Sequence, residues 1–132
     1  MRFFFDNCIA YRIADALAIL SDRDGHEIIA LRSKFPENCP DEVWIPALGE
    51  EGGWIVISGD RRIYSNPQRR RVWKSAKLTT FFLASIWLGN TFSERHKAAK
   101  LLGRWDEIVE WSGKVRPGTA LNLPYKGGIT KM

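Results

Sequence analysis

Hydrophobic runs separated by polar turns predict five short strands along the chain. Residues 3–5 (FFF) are all apolar, and residues 54–58 (WIVIS) are apolar on both faces, which is typical of a central parallel strand. Residues 27–32 (EIIALR) and 77–85 (KLTTFFLAS) are predicted as two further strands. The segment 118–124 (GTALNLP) is predicted as a fifth strand at an edge of the sheet.

Helical patterns alternate with these strands. Apolar residues at helical spacing predict one helix over about Ile9–Leu20 and a longer helix over about Ser93–Ser112, which its first serine caps. Pro40 and the two acids after it mark the start of another helix, which Pro46 is expected to kink or split. Asn66, which precedes a proline, marks a further helix start.

This alternation predicts an α/β domain of three layers, with helices on both faces of a mostly parallel sheet. We expect a strand order of about 2-1-3-4, with the fifth strand at an edge. The chain has 132 residues, of which 45% are hydrophobic. It is therefore long enough to fold as a single domain over residues 1–132 without disulfide bonds or a structural metal.

Cysteine, histidine and hydropathy patterns exclude several classes of protein. Cys8 and Cys39 form no C-x-x-C pair, and we expect both to be small buried residues in a reducing compartment. His26 and His96 are isolated and lack zinc-ligand spacing, which favours a structural or solvent-facing role. No apolar run approaches the roughly 18 residues that a membrane span needs, so we expect a cytoplasmic protein.

Charge and tryptophan content point to partners. The net charge of +5 and the pI of about 9.5 favour polyanions, with RNA or DNA first and acidic proteins second, although a basic surface can also serve solubility alone. Six tryptophans are many for this length, so most must lie in the core or at an interface. A homodimer is therefore a further expectation.

Three acids are predicted to meet at one edge of the sheet. Asp6 lies just past the carboxyl end of the first strand, and Asp60 lies just past that of the third. These strands are neighbours in the order 2-1-3-4, and ligands bind beyond the carboxyl ends of the strands where the order reverses. Asp41 opens the helix that leads into the third strand, so it starts on the same side.

Carboxylates that lie a few ångströms apart repel each other, and one of them normally takes up a proton. A hard divalent cation removes this repulsion, and Mg²⁺ and Mn²⁺ prefer oxygen ligands. The sequence therefore predicts that Asp6, Asp41 and Asp60 bind one such ion, directly or through water, and that the ion activates water for attack on a phosphodiester.

Each acid also has a structural alternative. Asp6 or Asn7 could cap the first helix, and Asp60 could be a turn residue after a glycine. Asp41 and Glu42 could be first-turn acids that complement the helix dipole. The metal-site interpretation is favoured because the topology sends all three aspartates to one end of the sheet.

Basic residues follow the third acid closely and are predicted to position phosphates. They are Arg61, Arg62, Arg69, Arg70, Arg71 and Lys74. The alternative is a solvated helix face. Trp73, in the same segment, could stack on a base, although such a tryptophan is more often core. Ser58, Asn7 and Glu42 are predicted to support the site, and the first two could instead be turn or capping donors.

The segments FFFDNC, GHEIIAL and DEVWIPALGEEGGWIVISGDRRI, in that order, resemble the compact PIN-like domains of VapC-type toxins from bacterial toxin–antitoxin modules. The shared pattern is an apolar strand ending in Asp, an acid-led helix, and an apolar strand ending in Ser/Thr-x-Asp. It covers roughly the first half of the chain. The resemblance implies a cytoplasmic, Mg²⁺- or Mn²⁺-dependent endoribonuclease that a cognate antitoxin protein holds inactive.

The acids of the family map onto Asp6, Asp41 and Asp60 of this chain. Relatives often carry a second acid after the first, where this chain has Asn7, and another beyond the third, where it has Arg61 and Arg62. With three acids, one ion is predicted rather than two. The resemblance thus implies a toxin ribonuclease that hydrolyses RNA. The alternative is a non-catalytic module that binds nucleic acid or an antitoxin on a PIN-like scaffold.

Overall fold

Six strands form one mixed sheet in the computed structural model, which describes residues 1–132. The strands are β1 (Arg2–Phe5), β2 (Glu27–Ala30), β3 (Trp54–Ser58), β4 (Thr79–Leu83), β5 (Ala120–Leu123) and β6 (Thr130–Lys131). They lie in the order β2-β1-β3-β4-β5-β6, and every neighbouring pair is parallel except β5 and β6. The predicted order of the first four strands is confirmed.

The central strands are apolar because both of their faces are covered. All residues of β3 and β4 are buried, and Phe3, Phe4 and Phe5 of β1 are at most 1% exposed. Phe5 is in register with Ala30 of β2 and Ile57 of β3. The residues that follow these positions therefore leave the sheet side by side at its carboxyl edge.

Five helices cover the two faces of this sheet. They are α1 (Tyr11–Leu20), α2 (Asp41–Glu51), α3 (Arg62–Ser65), α4 (Pro67–Ala76) and α5 (Glu94–Lys114). Helices α1 and α5 pack on the face that presents Phe3 and Phe5, where the ring of Trp105 is tilted against Phe3 and stacked on Phe5. Helices α2, α3 and α4 pack on the opposite face around Phe4 and Trp44. This arrangement confirms the three layers.

Two helix starts follow the predicted capping residues. The Asn66 side chain accepts hydrogen bonds from the backbone N–H groups of Gln68 and Arg69, both at 3.1 Å, and so caps α4. The Ser93 hydroxyl accepts from the His96 N–H at 3.1 Å and caps α5. These local signals fix where the two helices begin.

Some sequence-based expectations are wrong. Pro46 does not split α2, which runs unbroken over Asp41–Glu51, because Trp44, Ile45 and Leu48 anchor the helix on the sheet. The loss of one backbone hydrogen bond at an exposed proline is smaller than this gain from burial. Neither Asp6 nor Asn7 caps α1, which follows Ala10 without a side-chain cap. The fifth strand is also not at the edge, because β6 pairs with it.

The tryptophans serve the core. Five of the six are buried, namely Trp44, Trp54, Trp73, Trp87 and Trp105. The core interpretation of Trp73 is therefore confirmed, and its indole N–H donates to the Thr80 hydroxyl at 2.9 Å. The tryptophan count thus gives no support to a dimer surface. No helix is both long and apolar enough to cross a membrane.

Candidate active site at the carboxyl edge of the sheet

The carboxyl ends of β1 and β3 bring Asp6 and Asp60 together through Ser58. The Ser58 side chain is fully buried, and its hydroxyl donates to Oδ2 of Asp6. The hydroxyl oxygen of Ser58 in turn accepts the backbone N–H of Asp60 at 3.0 Å. Ser58 therefore ties the first-strand acid to the turn that carries the third-strand acid.

Gly59 lets these segments approach closely. A Cβ built on this residue would lie 2.8 Å from the Cβ of Cys8 and would overlap the side chain of Leu88. Any side chain at this position would push the turn after β3 away from the end of β1. The glycine between Ser58 and Asp60 is thus a requirement of packing.

Asp6 is the most buried of the three acids, with 7% of its surface exposed. Its pKa is raised from 3.8 to about 6, chiefly because burial penalises the ionised form; hydrogen bonds from Ser58 and Cys8 lower the pKa in part, and the charge of Asp41 makes a smaller raising contribution. The Cys8 N–H donates to Oδ1 of Asp6 at 2.9 Å. Asp6 is therefore expected to lose its proton near pH 6.

Asp60 is held by two arginines. Arg62 donates to Oδ1 from Nε at 2.9 Å and to Oδ2 from Nη2 at 3.2 Å, and its backbone N–H donates to Oδ1 at 3.1 Å. Arg69 donates to Oδ2 at 3.2 Å. Burial alone would raise the pKa of Asp60, but the bonds and charges of these arginines outweigh it and lower the pKa. Asp60 is therefore ionised at neutral pH.

Asp41 is the first residue of α2 and meets the same arginine. Its Oδ1 accepts the indole N–H of Trp44 at 3.0 Å, and its Oδ2 lies 3.6 Å from Nη1 of Arg69. Burial and the charge of Asp60 raise the pKa of Asp41. Arg69 Nη1 thus bridges Asp41 and Asp60, and the three acids form one chain of contacts through Ser58 and Arg69.

The donor set fits a hard divalent cation in its chemistry, because all three acids offer carboxylate oxygens. In the present arrangement, however, no group of three or more His, Cys, Asp and Glu side chains lies close enough together to hold a metal ion. The cation between Asp41 and Asp60 is the guanidinium of Arg69.

Arg61 is structural rather than free for phosphate. Its guanidinium donates to the backbone carbonyls of Leu83 at 3.0 Å and Phe82 at 3.1 Å, and also to the side chain of Asn122 on β5. It therefore ties the turn after β3 to the ends of β4 and β5. Sequence reasoning missed Asn122, since a single asparagine in a short strand carries no signal of its own.

The other basic residues differ in what they contact. Arg70 stacks over the ring of Tyr64 at 4.2 Å and donates to its hydroxyl at 3.3 Å. Arg71 and Lys74 are exposed, and their side chains make no hydrogen bond or ion pair within the chain. Arg62 is paired with Asp60 but keeps 74% of its side chain exposed.

The supporting residues lie around the same edge. The Asn7 side chain donates to the backbone carbonyl of Glu37, which holds the loop before α2 against the end of β1. Glu42 is exposed and lines a cleft of about 190 Å³ together with Asp41 and Arg69. A second cleft, of about 420 Å³, lies beside Asp60 and is lined by Cys8, a free thiol.

The fold and the acids at its carboxyl edge are those of a nuclease-type α/β domain. The sequence model of the family described as "PIN like domain" matches residues 1–85, which is more than half of the chain. The chain therefore belongs to the PIN-like domain family, a nuclease-type fold family. The matched segment carries Asp6, Asp41 and Asp60, while α5, β5 and β6 lie beyond it. No curated protein and no solved structure matches the chain.

Proposed function

We propose that the protein is a metal-dependent endoribonuclease whose Asp6, Asp41 and Asp60 bind one Mg²⁺ or Mn²⁺ ion. The observation that carries this proposal is the meeting of three acids from separate elements at the carboxyl edge of the sheet, linked through Ser58 and Arg69. Membership of a nuclease-type family supports it. When bound, the ion supplies a water of lowered pKa and a positive charge against the phosphodiester.

Other residues around the site hold the ligand oxygens in place or can contact the nucleic acid. Ser58 holds Asp6 and the backbone of Asp60 in a fixed relation, which keeps the ligand oxygens in place. Arg62 has a mostly exposed side chain next to Asp60, so its guanidinium can contact a phosphate of the bound strand. Arg71 and Lys74 add exposed positive charge on α4.

We further propose that the protein is the toxin of a type II toxin–antitoxin system, held inactive by a cognate antitoxin in the bacterial cytoplasm. The order and spacing of the segments around Asp6, Asp41 and Asp60 support this, since they resemble VapC-type toxins. The net charge of +5 also suits RNA or an acidic partner segment. Expression of the intact chain in a bacterial host should arrest growth, and expression of Asp60→Asn should not.

The decisive experiment measures RNA cleavage by the purified full chain with Mg²⁺, Mn²⁺ or EDTA. Single-stranded RNA and DNA of the same sequence are compared. We expect cleavage of RNA that EDTA stops and that Asp60→Asn reduces by about 100-fold or more. Asp106→Asn, which changes an exposed acid on α5, is the matched control and should keep its activity. Cleavage that resists EDTA, or full activity in folded Asp60→Asn, would contradict the mechanism.

One observation favours the second candidate, a non-catalytic binding module. Arg62 and Arg69 already neutralise Asp60, and Arg69 also contacts Asp41, so the site holds together without a metal ion. The same assay separates the two functions. RNA binding that EDTA leaves unchanged, without cleavage under any metal condition, supports the module.

A further inference from the structure

Arg69 occupies the position between two of the proposed ligands. Its Nη1 lies 3.2 Å from Oδ2 of Asp60 and 3.6 Å from Oδ2 of Asp41, and 32% of its side chain is exposed. Oxygens that share one Mg²⁺ lie within roughly 4 Å of each other, because each Mg–O distance is about 2.1 Å. An ion shared by Asp41 and Asp60 would have to occupy the space that this guanidinium now occupies, and it would supply the positive charge instead.

A neighbouring cleft offers the Arg69 side chain a second position. It lines the cleft of about 190 Å³, whose other walls include Glu42, an exposed carboxylate on the solvent side of α2. The backbone of Arg69 is fixed, because its N–H donates to the capping side chain of Asn66 at 3.1 Å. Rotation of the side chain alone can therefore carry the guanidinium from the two aspartates towards Glu42 or towards a phosphate.

We propose that Arg69 is an internal counter-ion that a divalent cation must displace, and that a phosphate of the nucleic acid assists by drawing the guanidinium away. This inference rests on the proposed metal site. Metal binding and nucleic-acid binding then strengthen each other, and the coupling is reciprocal because it is a difference in free energy between the same states. The ion and the nucleic acid substrate therefore bind cooperatively.

Arg62 does not have the same role. It contacts Asp60 but makes no contact with Asp41, and most of its side chain faces solvent. Arg62 therefore does not bridge the two aspartates as Arg69 does. The coupling is therefore assigned to Arg69 alone.

The test measures Mn²⁺ binding to the full chain by electron paramagnetic resonance and calorimetry, without any turnover. Arg69→Gln removes the internal cation. Arg95→Gln is the matched control, because it makes the same charge change on an exposed residue of α5, away from the site. We expect Arg69→Gln to bind Mn²⁺ about 10-fold more tightly than the wild type, and Arg95→Gln to remain within about twofold.

A second titration tests the coupling. A short single-stranded DNA oligonucleotide that is not cleaved should tighten Mn²⁺ binding by the wild type about fivefold or more, and should have little effect on Arg69→Gln. Arg69→Lys keeps the charge on a shorter side chain, which ends before the position of Nη1, so its Mn²⁺ affinity should lie between those of the wild type and Arg69→Gln. It serves as the variant of choice if Arg69→Gln does not fold.

The outcomes separate this inference from the proposed function. Equal or weaker Mn²⁺ binding by the folded Arg69 variants, with binding by the wild type intact, overturns the internal counter-ion and leaves the metal site standing. Absence of Mn²⁺ binding from the wild type and from the Arg69 variants, at millimolar metal, overturns both. Tighter binding by Arg69→Gln without any effect of the oligonucleotide overturns the assistance by phosphate.

Discussion

The replacement Asp6→Asn should make the metal-free protein more stable at neutral pH. The Asp6 side chain is 7% exposed, and burial raises its pKa from 3.8 to about 6. The ionised form is therefore penalised in the folded state. Asparagine has almost the same shape, carries no charge, and can still accept the Cys8 N–H that Asp6 accepts at 2.9 Å.

The magnitude follows from the two pKa values. A rise from 3.8 to about 6 corresponds to roughly 3 kcal/mol, because one pH unit is worth 1.36 kcal/mol. The folded state holds the proton more tightly than the unfolded chain, so the wild type loses stability as the pH rises from about 4 to about 6. The amide has no proton to lose. The advantage of Asp6→Asn should therefore grow by about 2–3 kcal/mol between pH 4 and pH 7.5.

The assay is urea unfolding of wild type and Asp6→Asn with EDTA at both pH values, followed by circular dichroism. In thermal unfolding, the same change in free energy would appear as a change on the order of 10 °C in the difference between the two melting temperatures, for a chain of this size. Asp106→Asn, at an exposed position, makes the same chemical change without burial. A difference between wild type and Asp6→Asn that is the same at pH 4 and pH 7.5 would refute the reasoning.

Three further predictions follow from the same site. Mn²⁺ binding by the wild type should weaken as the pH falls from 7 to 5, with a midpoint near the Asp6 pKa of about 6, and a flat calorimetric profile would contradict this. Ser58→Ala removes the donor to the buried Asp6 and should cost about 1–3 kcal/mol in urea unfolding; an unchanged midpoint would count against it. Arg61→Gln leaves carbonyls at the end of β4 unpaired and should cost on the order of 3 kcal/mol, whereas Arg62→Gln at an exposed position should cost less than about 1 kcal/mol; equal costs would contradict the structural role of Arg61.

Much of the fold was predictable because its signals are local. The strands β1, β3 and β4 correspond to continuous apolar runs in the sequence. The capping side chains of Asn66 and Ser93 bond to backbone groups only two or three residues away. Strand β6 was missed for the opposite reason. Thr130 and Lys131 are exposed and have no apolar pattern, and their pairing depends on the backbone of β5 alone.

The meeting of the acids at one edge was also predictable, because topology alone places the ends of β1 and β3 side by side. The partners of the acids were not. Arg69 reaches Asp60 across 9 residues and Asp41 across 28, so the contact depends on how α4 is rotated against α2. The adjacent Arg61 and Arg62 point to different partners, which no pattern in the sequence distinguishes.

The structure shows how three buried or half-buried acids can coexist before any ion is bound. The buried Asp6 avoids an uncompensated charge by keeping its proton up to a pH of about 6. Asp60 stays ionised because Arg62 and Arg69 compensate its charge. Asp41 shares Arg69 with it. The convergence of acids does require a cation, and in this arrangement arginine provides it. An ion bound at the proposed site would therefore compete with a proton at Asp6 and with a guanidinium at the other two acids, so we expect its affinity to depend on pH and on the concentration of polyanion.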